Sequence, residues 1–162
     1  MLSRFFLKKT NYAKDWFREH FESIEILQAK LLLEHRMVHP PKNIHDAEFK
    51  VFSQWGEDGI IQWIISKLPS PKPVFIEFGV EDYLESNTRF LLLNNNWKGM
   101  ILDGSKVKME YVRSKNFYWR HDLQAISVFV DKNNIDRIFE ANGFVGEIGI
   151  LSIDIDGNDY WV

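Results

Sequence analysis

The 162-residue chain has no cysteine, which excludes disulfides, zinc–thiolate centres and thiol nucleophiles and fits a reducing, cytoplasmic setting. No stretch approaches the ~20 consecutive apolar residues of a membrane-spanning helix. Charge of either sign is not in excess: 20 Lys and Arg stand against 23 Asp and Glu, so nothing in the balance calls for nucleic acid as a partner. There is no internal repeat, no low-complexity tract and no G-x-G-x-x-G among the nine glycines. What is present is apolar mass. A hydrophobic fraction of 45% and an aromatic fraction of 15% argue for a packed core rather than disorder.

The opening "MLSRFFLKKT" is basic and apolar. Its apolar core is too short for a secretory signal, and Asp15, Glu19 and Glu22 interrupt any transit-peptide character, so it reads as the start of a helix. Phe5, Phe6 and Leu7 beside Lys8 and Lys9 leave a membrane-surface contact open. From Asn11 to Val38, Phe17, Phe21, Ile24, Leu27 or Gln28, and Leu31 recur at helical spacing, until "HPPKN" stops the helix. Residues 1–48 are therefore expected to be an N-terminal helical extension, packed on the remainder or on a partner, and 49–162 a second region of different texture.

In that second region short apolar runs alternate with amphipathic ones. "EDGIIQWIISKL", "SNTRFLLLNNNW", "KMEYVRSKN" and "NNIDRIFEANG" read as helices, the last with Gly143 as a C-terminal cap. "PVFIEFGV", "GMILDGS", "FYWRHDL" and "IGILSIDIDG" read as strands one to four. This alternation predicts βαβ units and an α/β, three-layer, Rossmann-like and at least partly parallel sheet buried on both faces.

Ligands of open α/β sheets bind beyond the carboxyl ends of the strands, near the point where strand order reverses. Each strand is read as ending in acid: Glu77-Phe78-Gly79, Asp103-Gly104, His121-Asp122 and Asp154-Ile155-Asp156. Together they predict an electronegative rim suited to a cation, a metal or a hydroxyl-rich ribose. A dinucleotide fits poorly. "GVEDYLES" offers Gly79 alone, then Glu81 and Asp82, which would repel a pyrophosphate. A nucleoside without phosphates and with its own positive charge fits better, and S-adenosylmethionine meets that description.

"FSQWGEDGIIQWI", "VFIEFGVEDYLESNTRFLL", "NWKGMILDGS" and "ILSIDIDGNDYWV", in this order over Phe52 to Val162, resemble the FkbM-type branch of S-adenosylmethionine-dependent methyltransferases. The resemblance implies a class I methyltransferase fold acting on a sugar or natural-product hydroxyl. It implies that Glu77, Phe78, Gly79 and Asn87 lie toward the methionine part of the cofactor. Asp103 and Gly104 would then meet the ribose, and Asp122 would sit near the adenine. The chain departs from the common E/D-x-G-x-G-x-G loop, because Glu81 and Tyr83 stand at its second and third glycine positions. The fold has seven strands and four are read here, so the resemblance also implies an N-terminal portion truncated after strand four.

Other readings of the same residues stay open. Ser53, Gln54 and Glu57 can cap the helix near Asp58 or close the cofactor pocket, and Ser86-Asn87-Thr88 can be no more than a helix cap. His121 is more readily structural than a general base. Asp154 and Asp156 do not fit a calcium loop, since glycine stands at the fourth place instead of the sixth. They do match an Asp-x-Asp pair holding Mg²⁺ or Mn²⁺ in a nucleotide-sugar glycosyltransferase. Within a methyltransferase, Asp154 would be the base or the metal ligand beside an acceptor hydroxyl, on a small molecule or a saccharide. A non-catalytic binding or scaffolding remnant is the third reading. Without a fifth strand beside strand four, Ile150, Leu151 and Ile153 are expected to form an apolar edge open to self-association.

Overall fold

Helical periodicity and tandem prolines define the first element. The protein's computed structural model describes residues 2–155 and Gly157, and the chain divides into two units, Met1–Asp46 and Ala47–Val162. In the first unit, α1 runs Leu2–Val38, with His35 and Arg36 in its last turn, where cations suit the helix dipole. His39 N donates to His35 O at 2.9 Å in a final α-turn before Pro40 and Pro41 end the regular bonding. Asp46 closes the following turn: its Oδ2 accepts from Lys42 N at 3.2 Å and from Asn43 Nδ2 at 3.0 Å. The stripe of Phe17, Phe21, Ile24, Leu27 and Leu31, expected to be packed away, is exposed.

The second unit is an α/β sheet structure. Four strands, β1 (Val74–Phe78), β2 (Lys98–Asp103), β3 (Leu123–Ser127) and β4 (Ile150–Ile153), form one all-parallel sheet in the order β3-β2-β1-β4. Between them run α2 (Glu57–Lys67), α3 (Arg89–Leu93), α4 (Lys106–Arg113), α5 (Asn116–Arg120) and α6 (Ile135–Ala141). The two-residue period of a strand sends side chains to both faces. Phe75, Ile101, Leu123 and Ala125 join Ile65, Leu91, Leu92, Met109 and Val112 in one core. Ile76, Phe78, Met100 and Leu102 join Phe144, with Ile138 and Phe139 of α6 against them, in the other. A sheet buried on both faces between helices is the three-layer, Rossmann-like arrangement read from the sequence. Each fully buried side chain of this size contributes about 1.5–3 kcal/mol.

Gly143 does terminate α6. With φ 74° it lets its own N–H reach Glu140 O at 3.1 Å and Phe144 N reach Phe139 O at 2.9 Å. The third strand requires a correction. The aromatic run Phe117-Tyr118-Trp119 belongs to α5, and the strand begins only at Leu123. Phe117 and Tyr118 pack against the core beside α4, and that tertiary contact overrides their preference for strands. His121 and Asp122 therefore precede β3 and lie at the amino end of the sheet, where Asp122 O accepts from Gly99 N at 2.8 Å. Among the described residues β4 pairs on one side only, with β1, and Leu151 is 48% exposed. No described helix is long and apolar enough to cross a membrane.

Candidate functional site

The chain steps from β1 to β2 to β3 on one side of the sheet and returns to place β4 on the other side of β1. Strand order thus reverses at β1, the place where open α/β sheets form a crevice at the carboxyl ends. A hollow of about 520 Å³ lies there, with walls from the ends of all four strands. Phe78 and Gly79 come from β1, Asp103, Gly104 and Ser105 from β2, Val128, Phe129 and Val130 from β3, and Asp154 and Ile155 from β4. Glu81 and Lys108 add charge from the β1 loop and from α4.

Gly79 makes the crevice geometrically feasible. It sits at φ 74°, and a Cβ there would lie 1.6 Å from the carbonyl oxygen of Asp154. Its N–H donates to Leu102 O at 2.9 Å, while Asp154 N donates to Phe78 O at 3.2 Å. Three strand ends are thus joined across one residue that lacks a side chain.

Asp103 ties two walls together. Its Oδ2 accepts from Glu81 N at 2.9 Å and its Oδ1 from Ser105 N at 2.7 Å. These bonds fix the carboxylate's orientation and leave each oxygen a further lone pair. Ser105 in turn caps α4, accepting from Lys108 N at 3.4 Å. Lys108 Nζ stands 2.8 Å from Glu81 Oε1, and that hydrogen bond, with the nearby charges of Glu81, Asp103 and Asp82, holds the ammonium above its ordinary pKa. Over the Asp103–Ser105 turn lies the Phe129 ring: a Cβ on Gly104 would come within 2.5 Å of it. Yet Phe129 is 82% exposed, an aromatic face turned outward beside the hollow.

The β1 loop keeps left-handed geometry without glycine. Glu81 has φ 51° and Tyr83 φ 60°. Tyr83 is fully buried, and its hydroxyl donates to Thr88 Oγ1 at 3.2 Å. Burial pushes that phenol far up, with Glu77 adding to the shift, so it is a neutral structural group. The two positions where the resemblance expects glycine thus follow a glycine-like backbone path, Tyr83 held by burial and the exposed Glu81 by its N–H bond to Asp103.

Several expected site residues stand elsewhere. Glu77 does not line the hollow. It is 3% exposed and its carboxylate is enclosed by the S-N-T block. Ser86 Oγ makes a short bond to Oε2; Thr88 Oγ1 donates to the same oxygen at 2.6 Å and Thr88 N at 3.2 Å. Asn87 N and Ser152 Oγ donate to Oε1 at 2.9 and 3.2 Å. Burial raises the pKa of Glu77, and these donors pull it back in part. Asn87 also lies outside the hollow, its amide donating to Ser152 Oγ at 3.2 Å. Glu77 is expected at the rim as a strand-end acid, but it lies on the same face as Phe75 and points into the layer under α3, while Asn87, expected there from the resemblance alone, serves the same network. Asp122 is at the opposite end of the sheet, so the hollow has no acid from β3. His121 sits there too, with Nδ1 3.0 Å from Asn96 Oδ1, and burial beside Arg120 lowers its pKa.

The S-Q-x-G-E-D block is an internal staple. Asp58 Oδ2 accepts from Val51 N and Phe52 N, each at 2.7 Å, and from Ser53 N at 2.9 Å, while Ser53 Oγ accepts from Asp58 N at 3.0 Å. Ser86 N donates to Phe52 O at 3.0 Å, which fastens this staple to the Glu77 network. Asp154 does line the hollow, whereas Asp156 lies outside the described residues, so the Asp-x-Asp pair has one described member. Among the described residues no group of three or more His, Asp or Glu is placed to hold a metal. Phe129 and Lys108 line the hollow without standing out in the sequence. Phe129 was hidden by the misplaced third strand, while Lys108 carried a legible signal as a cation in the first turn after an acidic strand end.

No family model, curated protein or solved structure matches the chain.

Proposed function

We propose that the hollow binds S-adenosylmethionine and that the chain carries the cofactor-binding half of an O-methyltransferase site. One arrangement supports this reading above the others: Asp103, oriented by two backbone N–H groups, faces a crevice at the strand-order reversal that has no glycine-rich phosphate cradle. An acid in that place accepts hydrogen bonds from ribose hydroxyls. Among the described residues of the lining, the carboxylates of Glu81, Asp103 and Asp154 against the ammonium of Lys108 disfavour a diphosphate and favour a cationic nucleoside. The exposed ring of Phe129 offers a base a face to stack on. The fit therefore rests on a ribose acceptor, an aromatic platform and a negative lining, without Glu77 or Asp122.

Bound there, the cofactor supplies an electrophilic methyl group on a sulfonium. The chain's residues would orient it and hold the acceptor. Asp154, which lines the hollow from the β4 wall, is the carboxylate we assign to take the proton of the acceptor hydroxyl. A sugar or natural-product hydroxyl is the acceptor class implied.

Titration calorimetry of the whole chain tests the reading, with S-adenosylhomocysteine, NAD⁺ and UDP plus Mn²⁺ in separate runs. Saturable heat is expected with S-adenosylhomocysteine alone. Heat only with UDP and Mn²⁺ would replace the methyltransferase with a nucleotide-sugar glycosyltransferase. Heat with none of the three would leave the scaffolding reading.

A further inference from the structure

Glu81 combines two features that stability alone does not explain. It holds a left-handed backbone, φ 51°, which costs a residue with a Cβ about 1–2 kcal/mol. It also spends its carboxylate on Lys108, in a pair whose acid side chain is 72% exposed. An exposed pair of that kind returns about 0–1 kcal/mol, less than the strain it accompanies. Glycine would follow the same backbone path without the cost. A strained residue on the wall of a crevice points to work done there.

The geometry defines what that work can be. Glu81 and Lys108 come from different walls, the β1 loop and the first turn of α4, and their charged ends meet at 2.8 Å on the hollow's lining. Asp103 holds both walls in register, through Glu81 N at 2.9 Å and Ser105 N at 2.7 Å. The pair thus places one negative and one positive charge at fixed positions beside whatever fills the crevice, with Asp103 and Asp154 as further acids.

We propose that Glu81 and Lys108 act as a charge selector, Glu81 favouring a cationic nucleoside over its neutral counterpart and Lys108 moderating that attraction so that the cation is not held too tightly. This rests on the S-adenosylmethionine reading of the hollow. The two members of that cofactor pair differ by one unit of charge, since the sulfonium of the donor becomes a neutral thioether in S-adenosylhomocysteine. A site that senses this difference favours the donor over the spent form and eases product release.

Calorimetry of the whole chain with each nucleoside, in the wild type and in Glu81→Gln and Lys108→Gln, separates the possibilities. The wild type is expected to bind S-adenosylmethionine more tightly than S-adenosylhomocysteine. Glu81→Gln should weaken the cationic ligand about fivefold and the neutral one by less than about twofold. Lys108→Gln should strengthen the cationic ligand, leave the neutral one within about twofold, and so widen the preference for the cation. Glu81→Gly should lose the preference as Glu81→Gln does while melting no earlier than Glu81→Gln. Half-molar NaCl should shrink the wild-type preference and leave that of Glu81→Gln unchanged, because exposed charges are screened. Equal losses for both ligands, or an unaltered preference in both Gln variants, overturns the selector and leaves the cofactor reading standing. A wild type that binds neither nucleoside removes the cofactor reading and the selector with it.

Discussion

Two carboxylates on neighbouring strands have opposite fates. Glu77, on β1, is enclosed by five donors from Ser86, Asn87, Thr88 and Ser152. Asp103, on β2, takes two backbone N–H groups and still faces a hollow of about 520 Å³. The register aligns Glu77 with Ile101 and Phe78 with Leu102, so the two acids differ by two places along the strand direction. That offset separates an acid inside the sheet layer from one at its rim, the last residue of β2. The inner acid is saturated by the chain's own donors and organises the loop into α3. The outer acid keeps lone pairs to spare on the wall of the hollow, where the proposed nucleoside would meet it. The residue type is therefore a poor guide to role here, and depth along the strand is a good one.

The strongest way to break this contrast is to remove the inner acid. Glu77→Ala would leave buried hydroxyls and N–H groups unpartnered and is expected to cost about 4 kcal/mol, enough to abolish cooperative unfolding in urea. Glu77→Gln keeps the shape and should cost about 2 kcal/mol. Burial raises the Glu77 pKa above its ordinary 4.5, so the folded state holds this proton to higher pH than the unfolded chain does. The associated stability is complete below that value and is lost as pH rises through the raised folded pKa. The difference between wild type and Glu77→Gln in urea melts should therefore shrink from pH 5 to pH 8. A difference that grows with pH would show instead that the donors outweigh burial.

Gly79→Ala ranks next, because it attacks the joint between the two regions. A Cβ 1.6 Å from Asp154 O, at φ 74°, forces the β1 and β4 ends apart. About 3 kcal/mol of destabilisation is expected, together with loss of nucleoside binding. Binding that survives with wild-type affinity would show that the β4 wall does not belong to the site.

How much of this contrast was legible beforehand follows from the kind of signal involved. β1, β2 and β4 announced themselves by apolar runs ending at Gly79, Gly104 and the Asp154 turn, and parallel pairing followed from the helices between them. β3 did not, because Phe117, Tyr118 and Trp119 look like strand residues, while Leu123–Ser127 is short and half polar. Only packing against the core decides between them, and packing is not local. Misplacing that strand moved Asp122 from one end of the sheet to the other and concealed Phe129. The acid of β2 could be read because it follows the last buried residue, Leu102. The burial of Glu77 could not, since its enclosing donors are contributed by residues nine to 75 positions away. The Ser86 and Thr88 hydroxyls were legible as polar groups before a helix, but not as partners of a buried carboxyl.

A smaller effect sharpens the outer region alone. Phe129→Ala removes a side chain that is 82% exposed, so stability should change by less than about 0.5 kcal/mol. If the ring stacks on a base, affinity for S-adenosylhomocysteine should fall about tenfold in calorimetry, within the range of base–aromatic stacking. Loss of affinity without loss of stability is the signature of a surface residue that meets a ligand. An unchanged affinity would remove the aromatic platform from the site while leaving Asp103 in it.

The smallest expected effect is the most direct check on where the site lies. Asp122 carries the same functional group as Asp103, on the next strand of the sheet, yet it stands before β3 and at the amino end. Its backbone carbonyl does structural duty, accepting from Gly99 N, and a side-chain substitution leaves that bond in place. Asp122→Asn should therefore alter neither nucleoside affinity beyond about 1.5-fold nor the urea midpoint by more than about 0.5 kcal/mol equivalent. Asp103→Asn, measured alongside, should weaken the nucleoside at least tenfold, since it exchanges an accepting oxygen for a donor facing ribose hydroxyls. Equal sensitivity of the two positions would mean that the ligand does not sit at the carboxyl end. Depth along the strand would then no longer distinguish a structural acid from a binding one.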